Sequence, residues 1–347
     1  MSFLLSNTLI VIALNYSISQ IIEINFESFS SYARQMFVQN FLVAFPLFAL
    51  IGLGFLCTKL KLLSDAVGTG LSKYAFVIAL PMLLFNVMSN ITHLPPPNWF
   101  IAIAFFGSCF IVFAIGRVVG SRFLKLNGEG QTIFGMAGVF SNNVQLGIPI
   151  AISLLGQEAL PSIAVIFSLN GFLMWTLATI AIEISRNKSP SIKETFIKGT
   201  LSTLKNPIVV GILAGTFWGL TGLTLPVPLQ TTADLLGNSA STVALFAVGI
   251  GLAKYRFSAN LGFSLWITLL KLGVQPLVVL ILCHLIGLGP LETKATCLMA
   301  CLPVGVNVYI MAQEFNVLQG ATANALLITT ALAAVTLPLT LALFGLL

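Results

Sequence analysis

Ten apolar runs follow one another between residues 38 and 345, and each approaches the length of a membrane-crossing helix. Such a helix needs about 20 mostly apolar residues. The runs fall near 38–57, 70–90, 99–119, 131–155, 161–182, 207–223, 235–253, 260–286, 293–313 and 321–345. Charged residues make up 7% of the chain, against roughly 25% in soluble domains. The expectation is an all-α polytopic membrane protein. Short turns such as Leu94-Pro95-Pro96-Pro97 and Leu225-Pro226-Val227-Pro228 separate the runs, because proline and glycine punctuate helices. Residues 1–35 form a leader of unassigned role. Its apolar stretch 3–22 is dotted with Asn and Ser and lacks the Lys/Arg-rich start of a signal peptide. Met36 offers an alternative start just before the first strong span.

Basic residues orient the spans, since cytoplasmic loops carry the Lys/Arg excess. Lys59, Lys61 and Lys73 flank the first turn. Arg117, Arg122 and Lys125 follow span three, and Arg186, Lys188, Lys193, Lys198 and Lys205 fill the loop after span five. Lys254 and Arg256 follow span seven, while the alternate loops hold little beyond Lys294. The loop 184–206 is therefore expected in the cytoplasm and the C-terminus outside, in a cell (inner or plasma) membrane. The net charge of +6 is spread over these loops, with no aromatic-interleaved basic patch, so no nucleic-acid partner is expected. Five spans precede the basic loop and five follow it. An odd number per half puts the halves in opposite orientation, the inverted repeat of many secondary transporters.

Two segments within these spans are unlike the rest. Span four carries Ser141, Asn142, Asn143 and Gln145 at its middle, with Gly147 and Pro149 just after. Span nine carries Pro303, Gly305 and Asn307. Proline lacks the amide proton and clashes with the preceding turn, so helix breaks are expected at Gly147, Pro149 and Pro303. Freed backbone groups at membrane depth are tolerated only against protein or a water-filled cavity. A polar, broken segment there is read as a binding site. The start of each second half-helix presents unpaired amides and the positive end of its dipole, which favours an anion. Asn142 and Asn143 then either contact ligand or only cap the half-helices.

The remaining polar residues are fewer. Lys271, inside span eight, either faces the bundle interior or snorkels to the surface. Asn170, Asn307 and Asn324 either reach the crossing or hydrogen-bond between helices. No acidic residue stands convincingly in mid-membrane. His93 and His284 are placed near span ends. The five cysteines lie inside apolar runs, and Cys297 and Cys301 have no third ligand, so neither metal nor cofactor is expected. There is no Walker A loop, Gly-x-Ser-x-Gly or His-Glu-x-x-His motif, which argues against a primary pump and against an enzyme.

Asn142-x6-Pro149 with Gly147 resembles the first crossover of the auxin efflux carrier family. Leu302-Pro303-Val304-Gly305-Val306-Asn307, running on to Ala312, is similar to the second crossover in its bacterial form. Asn206-Pro207, Ala244–Gly249 and Ala79-Leu80-Pro81 also look like family segments, in order over residues 36–347. The resemblance implies two inverted five-helix repeats, as in bile-acid symporters and sodium/proton antiporters, with helices four and nine broken and crossing. It implies a scaffold of spans one, two, six and seven (36–93 and 207–256) that often forms a homodimer interface. Spans three to five and eight to ten (98–183 and 259–347) would be the transport core, joined through the linker 184–206. Organic anions are the implied substrates: auxin in plants, malate- or malonate-type dicarboxylates in bacteria. The chain departs from the plant carriers in lacking a long hydrophilic central loop and in having Val308 where a plant proline falls.

The sequence thus leads to a secondary transporter of a small organic carboxylate, working by elevator-type alternating access in the lipid bilayer. The expected substrate-binding residues are Ser141, Asn142, Asn143, Gln145, Asn170, Lys271, Gly305 and Asn307. A ligand-binding receptor or scaffold, and an anion channel, are the alternatives.

Overall fold

The computed structural model describes residues 34–35, 37–39, 41–186, 197, 200–201, 203–255 and 261–344. The leader 1–35 lies almost wholly outside them, as do Met36 and most of the linker 184–206. The described residues form helices joined by turns and irregular loops, with one isolated β-bridge. In chain order we number α1 (Phe37–Lys59), α2 (Ala66–Met88), α3 (Phe100–Arg122), α4 (Gly128–Val139), α5 (Asn143–Leu155) and α6 (Leu160–Ser185). There follow α7 (Pro207–Leu220), α8 (Val227–Leu252), α9 (Leu261–Ile286), α10 (Pro290–Cys301), α11 (Val306–Glu314) and α12 (Gln319–Leu343). Among the described residues, seven helices are long and apolar enough to cross a membrane. Of the other expected spans, 131–155 and 293–313 are each divided into two helices, and 207–223 becomes the 14-residue α7. Asn206 caps α7 by accepting from the Ile208 amide at 2.9 Å, Pro207 opens it, and Gly222 ends the turn after it at a φ of 71°.

Two of the three residues expected at helix breaks, Gly147 and Pro149, lie inside a continuous helix. Three π-helical turns, Ala75–Ala79, Asn143–Gly147 and Leu270–Val274, each end two residues before a proline: Pro81, Pro149 and Pro276. A proline ring collides with the carbonyl one turn back. A wider turn moves that carbonyl aside and lets the helix continue. Gly147 and Pro149 therefore lie inside α5, and the actual interruption falls earlier, at Phe140–Asn142. Gly147 serves packing instead: a Cβ there would stand 2.9 Å from Leu302 Cδ1 and 3.2 Å from Met299 Sδ. Pro303 does lie in an interruption, between α10 and α11.

Packing divides into two sets. Helix α2 packs on α7 and α8. On α7, Gly211, Gly215 and Gly219 let the backbones close together, since added Cβ atoms would sit 2.5–2.7 Å from Pro81, Phe85 and Ser89 carbonyl oxygens. Small residues at one-turn intervals are how helices approach in lipid, where no hydrophobic drive brings them together. In the second set, α3 packs on α4 and α9, and α9 packs on α10 and α12. Contact between the sets runs mainly through α8 against α5 and α6 against α7. At one end of the second set Arg186 pairs with Glu129 at 2.9 Å and donates to the Phe315 carbonyl at 3.3 Å. That contact ties the start of α4 to the ends of α6 and α11.

Candidate binding site at the paired interruptions

Helix α4 ends at Val139 and α10 ends at Cys301, and the extended residues that follow meet. Ser141 and Val304 form an antiparallel bridge. The Asn142 amide donates to the Pro303 carbonyl at 3.0 Å, and the Gly305 amide donates to the Phe140 carbonyl at 2.8 Å. The Val304 amide donates to Thr329 Oγ1 of α12 at 3.1 Å. Backbone polar groups freed by the interruptions thus pair with one another, as burial away from water requires. The approach is close at Gly305, where a Cβ would lie 3.0 Å from the Ser141 oxygen.

The pairing has two chemically opposite poles. At one, α4 and α10 end, and their last carbonyls carry partial negative charge. Two α9 side chains meet them. Lys271 Nζ donates to the Ala300 carbonyl at 2.7 Å and to Gln275 Oε1 at 2.6 Å. Gln275 Nε2 in turn donates to the Val139 carbonyl at 3.0 Å. Both side chains are completely buried. A lysine and a glutamine four residues apart on one helical face therefore close the ends of two half-helices at once.

At the other pole α5 and α11 begin. The first amides of a helix have no intrahelical acceptor, and here they border a cavity of about 210 Å³. Ser141, Asn142, Asn143, Gln145, Gly305 and Asn307 line it from the interruptions. Asn170 and Phe167 come from α6, Phe76 from the π turn of α2, and Asn206 from the cap of α7. The cavity lies between the two packed sets. No Lys, Arg or His is among its lining residues, so the positive potential the lining offers comes from helix starts and neutral amide donors.

Polar atoms here are unsatisfied within the protein. Both amide atoms of Asn143, Ser141 Oγ and Asn170 Oδ1 are buried without a hydrogen-bond partner. Asn142 Nδ2 reaches only Gln145 Oε1, at 3.5 Å. An orphaned buried polar group costs about 1–3 kcal/mol. Several in one cavity leave donors and acceptors open to a bound molecule or to water.

Seven of the eight expected binding residues thus line one cavity. Lys271 does not: it faces the bundle interior, behind the interruptions, with its nitrogen engaged. Asn324 is buried on α12 away from the lining. Sequence reasoning missed Gln275, although its spacing from a mid-membrane lysine was a usable signal. It also missed Phe76 and Phe167, for which an apolar span gives no signal. Among the described residues no cluster of His, Cys, Asp or Glu is arranged to hold a metal.

A family model described as membrane transport protein matches residues 41–341. A relative from Rhizobium meliloti (strain 1021), named "Putative malonate transporter", is 28% identical over 300 residues, covering 84% of this chain and 91% of its own length. "Auxin efflux carrier component 8" of Arabidopsis thaliana is 23% identical over 325 residues, covering 78% of this chain and 88% of its own. "Uncharacterized transporter YfdV" of Escherichia coli (strain K12) is 31% identical over 127 residues, covering 36% of this chain and 40% of its own.

Proposed function

This chain belongs to the membrane transport protein family, with auxin efflux carriers among its relatives, and from that premise we propose that it is a secondary transporter of a small organic carboxylate. The observation that carries the reading is the cavity at the starts of α5 and α11, where buried amide and hydroxyl groups have no protein partner. A carboxylate offers acceptors to the Asn143 and Asn142 amide groups and to the helix-start amides, each favourable dipole being worth about 0.3–1 kcal/mol and up to ~2 when partly buried. Asn170 and Asn307 orient the bound molecule, and Phe76 and Phe167 cover its apolar part. Lys271 acts from behind: with Gln275 it neutralises the negative helix ends, so the pole that faces the cavity is left net positive.

In this reading the ten spans form two inverted five-helix repeats. Residues 36–93 and 207–256 are a scaffold, which also forms a homodimer, and 98–183 and 259–347 are the moving core. The sparse contact between the packed sets, set against close packing inside each, supports a core that slides as a unit. The protein resides in the cell membrane with loop 184–206 in the cytoplasm and the C-terminus outside. Malonate-type dicarboxylates and auxin-like monocarboxylates are the classes to test first, given the names of the relatives.

Uptake of radiolabelled carboxylates into proteoliposomes tests the proposal. A carrier gives saturable uptake and counterflow against a preloaded unlabelled pool. Binding without flux would make the protein a receptor, and conductance that rises linearly with concentration would make it a channel.

A further inference from the structure

A second cavity, of about 100 Å³, adjoins the first and shares Asn142, Gln145 and Val306 with it. Its far walls are Ser72, Ala247, Val248, Leu252 and Tyr255 from the α2–α8 side, with Leu326 and Thr330 from α12. Apolar Ala247, Val248, Leu252 and Leu326 share this lining with polar Ser72, Tyr255 and Thr330. Between the two cavities the Asn142 and Gln145 side chains touch through the single 3.5 Å contact, at the weak end of hydrogen bonding. Gln145 is only partly buried, and a glutamine has several rotamers to choose from.

We infer that the Gln145 side chain is a partition that sets the upper size limit of the transported carboxylate. This rests on the reading of the first cavity as a carboxylate site. A short carboxylate places its charged end at the helix starts and its body within the first cavity. A longer one has to send its tail past Gln145 into the second. Truncation to alanine removes everything beyond Cβ and joins the two spaces, exposing apolar walls to the tail. Each methylene then buried contributes about 0.8 kcal/mol, or about fourfold in affinity.

Gly251 gives the opposing handle. It lines the second cavity, and a Cβ built on it meets no atom within 4 Å. Gly251 is not among the residues lining the first cavity, so a larger side chain there is expected to narrow the second cavity alone.

The test is thermal stabilisation of the purified full-length protein by two linear series, monocarboxylates from acetate to hexanoate and dicarboxylates from malonate to suberate, since a ligand of the native state raises stability. Wild-type protein is expected to respond to the short members only. In Q145A the cut-off moves to longer members, with about tenfold or greater gain in apparent affinity for the longest. Q145A/G251L restores the original cut-off, and G251L alone leaves the short-chain response unchanged. Q145F, which thickens the partition, lowers the cut-off and serves if Q145A does not fold. An unchanged cut-off in Q145A and Q145F, or equal response of wild type to long and short members, overturns the partition while leaving the carboxylate site standing. No response of wild type or any variant to either series overturns the carboxylate reading itself.

Discussion

Lys271 Nζ stands 2.7 Å from the carbonyl oxygen of Ala300, one residue before α10 ends. The contact explains a lysine in the middle of the molecule without an acidic partner: its acceptors are a helix end and a glutamine. Replacing it with methionine keeps the volume but leaves the Ala300 carbonyl and Gln275 Oε1 unpaired. K271M is expected to destabilise the protein by about 2–4 kcal/mol, read as a lowered melting temperature in detergent. Its transport should fall too, because the ends of α4 and α10 lose the groups that hold them together. A variant as stable and as active as wild type would remove Lys271 from this role.

Asn143 predicts the reverse pattern. Its side-chain atoms are buried and lack protein partners, so the folded protein loses no hydrogen bond when they are removed. N143A is expected to leave the melting temperature unchanged or slightly raised. Carboxylate affinity should weaken by about 5–30-fold, the equivalent of one or two hydrogen bonds. Isothermal titration alongside a thermal melt separates the two effects. A strongly destabilised N143A that binds normally would contradict the assignment.

Gly305 tests the pairing of the interruptions. An alanine there places Cβ 3.0 Å from the Ser141 oxygen and 3.2 Å from the Phe140 oxygen, and backbone has to move to admit it. G305A is expected to cost about 1–3 kcal/mol and to abolish proteoliposome uptake. Full activity in G305A would show that the close approach of the two chains is dispensable.

The pair Glu129–Arg186 gives a pH signature. The Arg186 guanidinium hydrogen-bonds the Glu129 carboxylate and holds its pKa below the usual range. A carboxyl whose folded pKa is depressed contributes stability above its unfolded pKa and loses it as pH falls through the folded one. Wild type should therefore melt slightly higher than E129Q at neutral pH, by a small margin since the pair is exposed. The two curves should converge as the medium is acidified below the depressed pKa. A gap that persists in acid would assign the difference to packing.

Much of this architecture is legible in the chain. Charge scarcity and ten apolar runs announce a polytopic membrane protein, and Ser141, Asn142, Asn143 and Asn307 are conspicuous because polar residues at that depth are expensive. The position of the interruption is less legible. Pro149 looks like the breaking residue, yet the π turn at Asn143–Gly147 absorbs it, and helix widening leaves no mark in composition. The role of Lys271 is hidden for another reason. Its partners are a carbonyl 29 residues away and a glutamine whose own acceptor lies 136 residues away, and backbone carbonyls carry no sequence signature. Phe76 and Phe167 are indistinguishable by type from the other phenylalanines of the spans, so only the fold brings them to the cavity.

The positive pole facing the cavity is made largely of main-chain amides at the starts of α5 and α11. Among point mutations only a substitution by proline removes one of these main-chain donors, so the positive potential of the pole is largely insulated from drift in the lining side chains. Those side chains are free to change size, shape and hydrogen-bonding pattern over generations while the underlying attraction persists. If the cargo is the proposed carboxylate, a change of lining side chains alters which carboxylate fits while the main-chain donors stay in place.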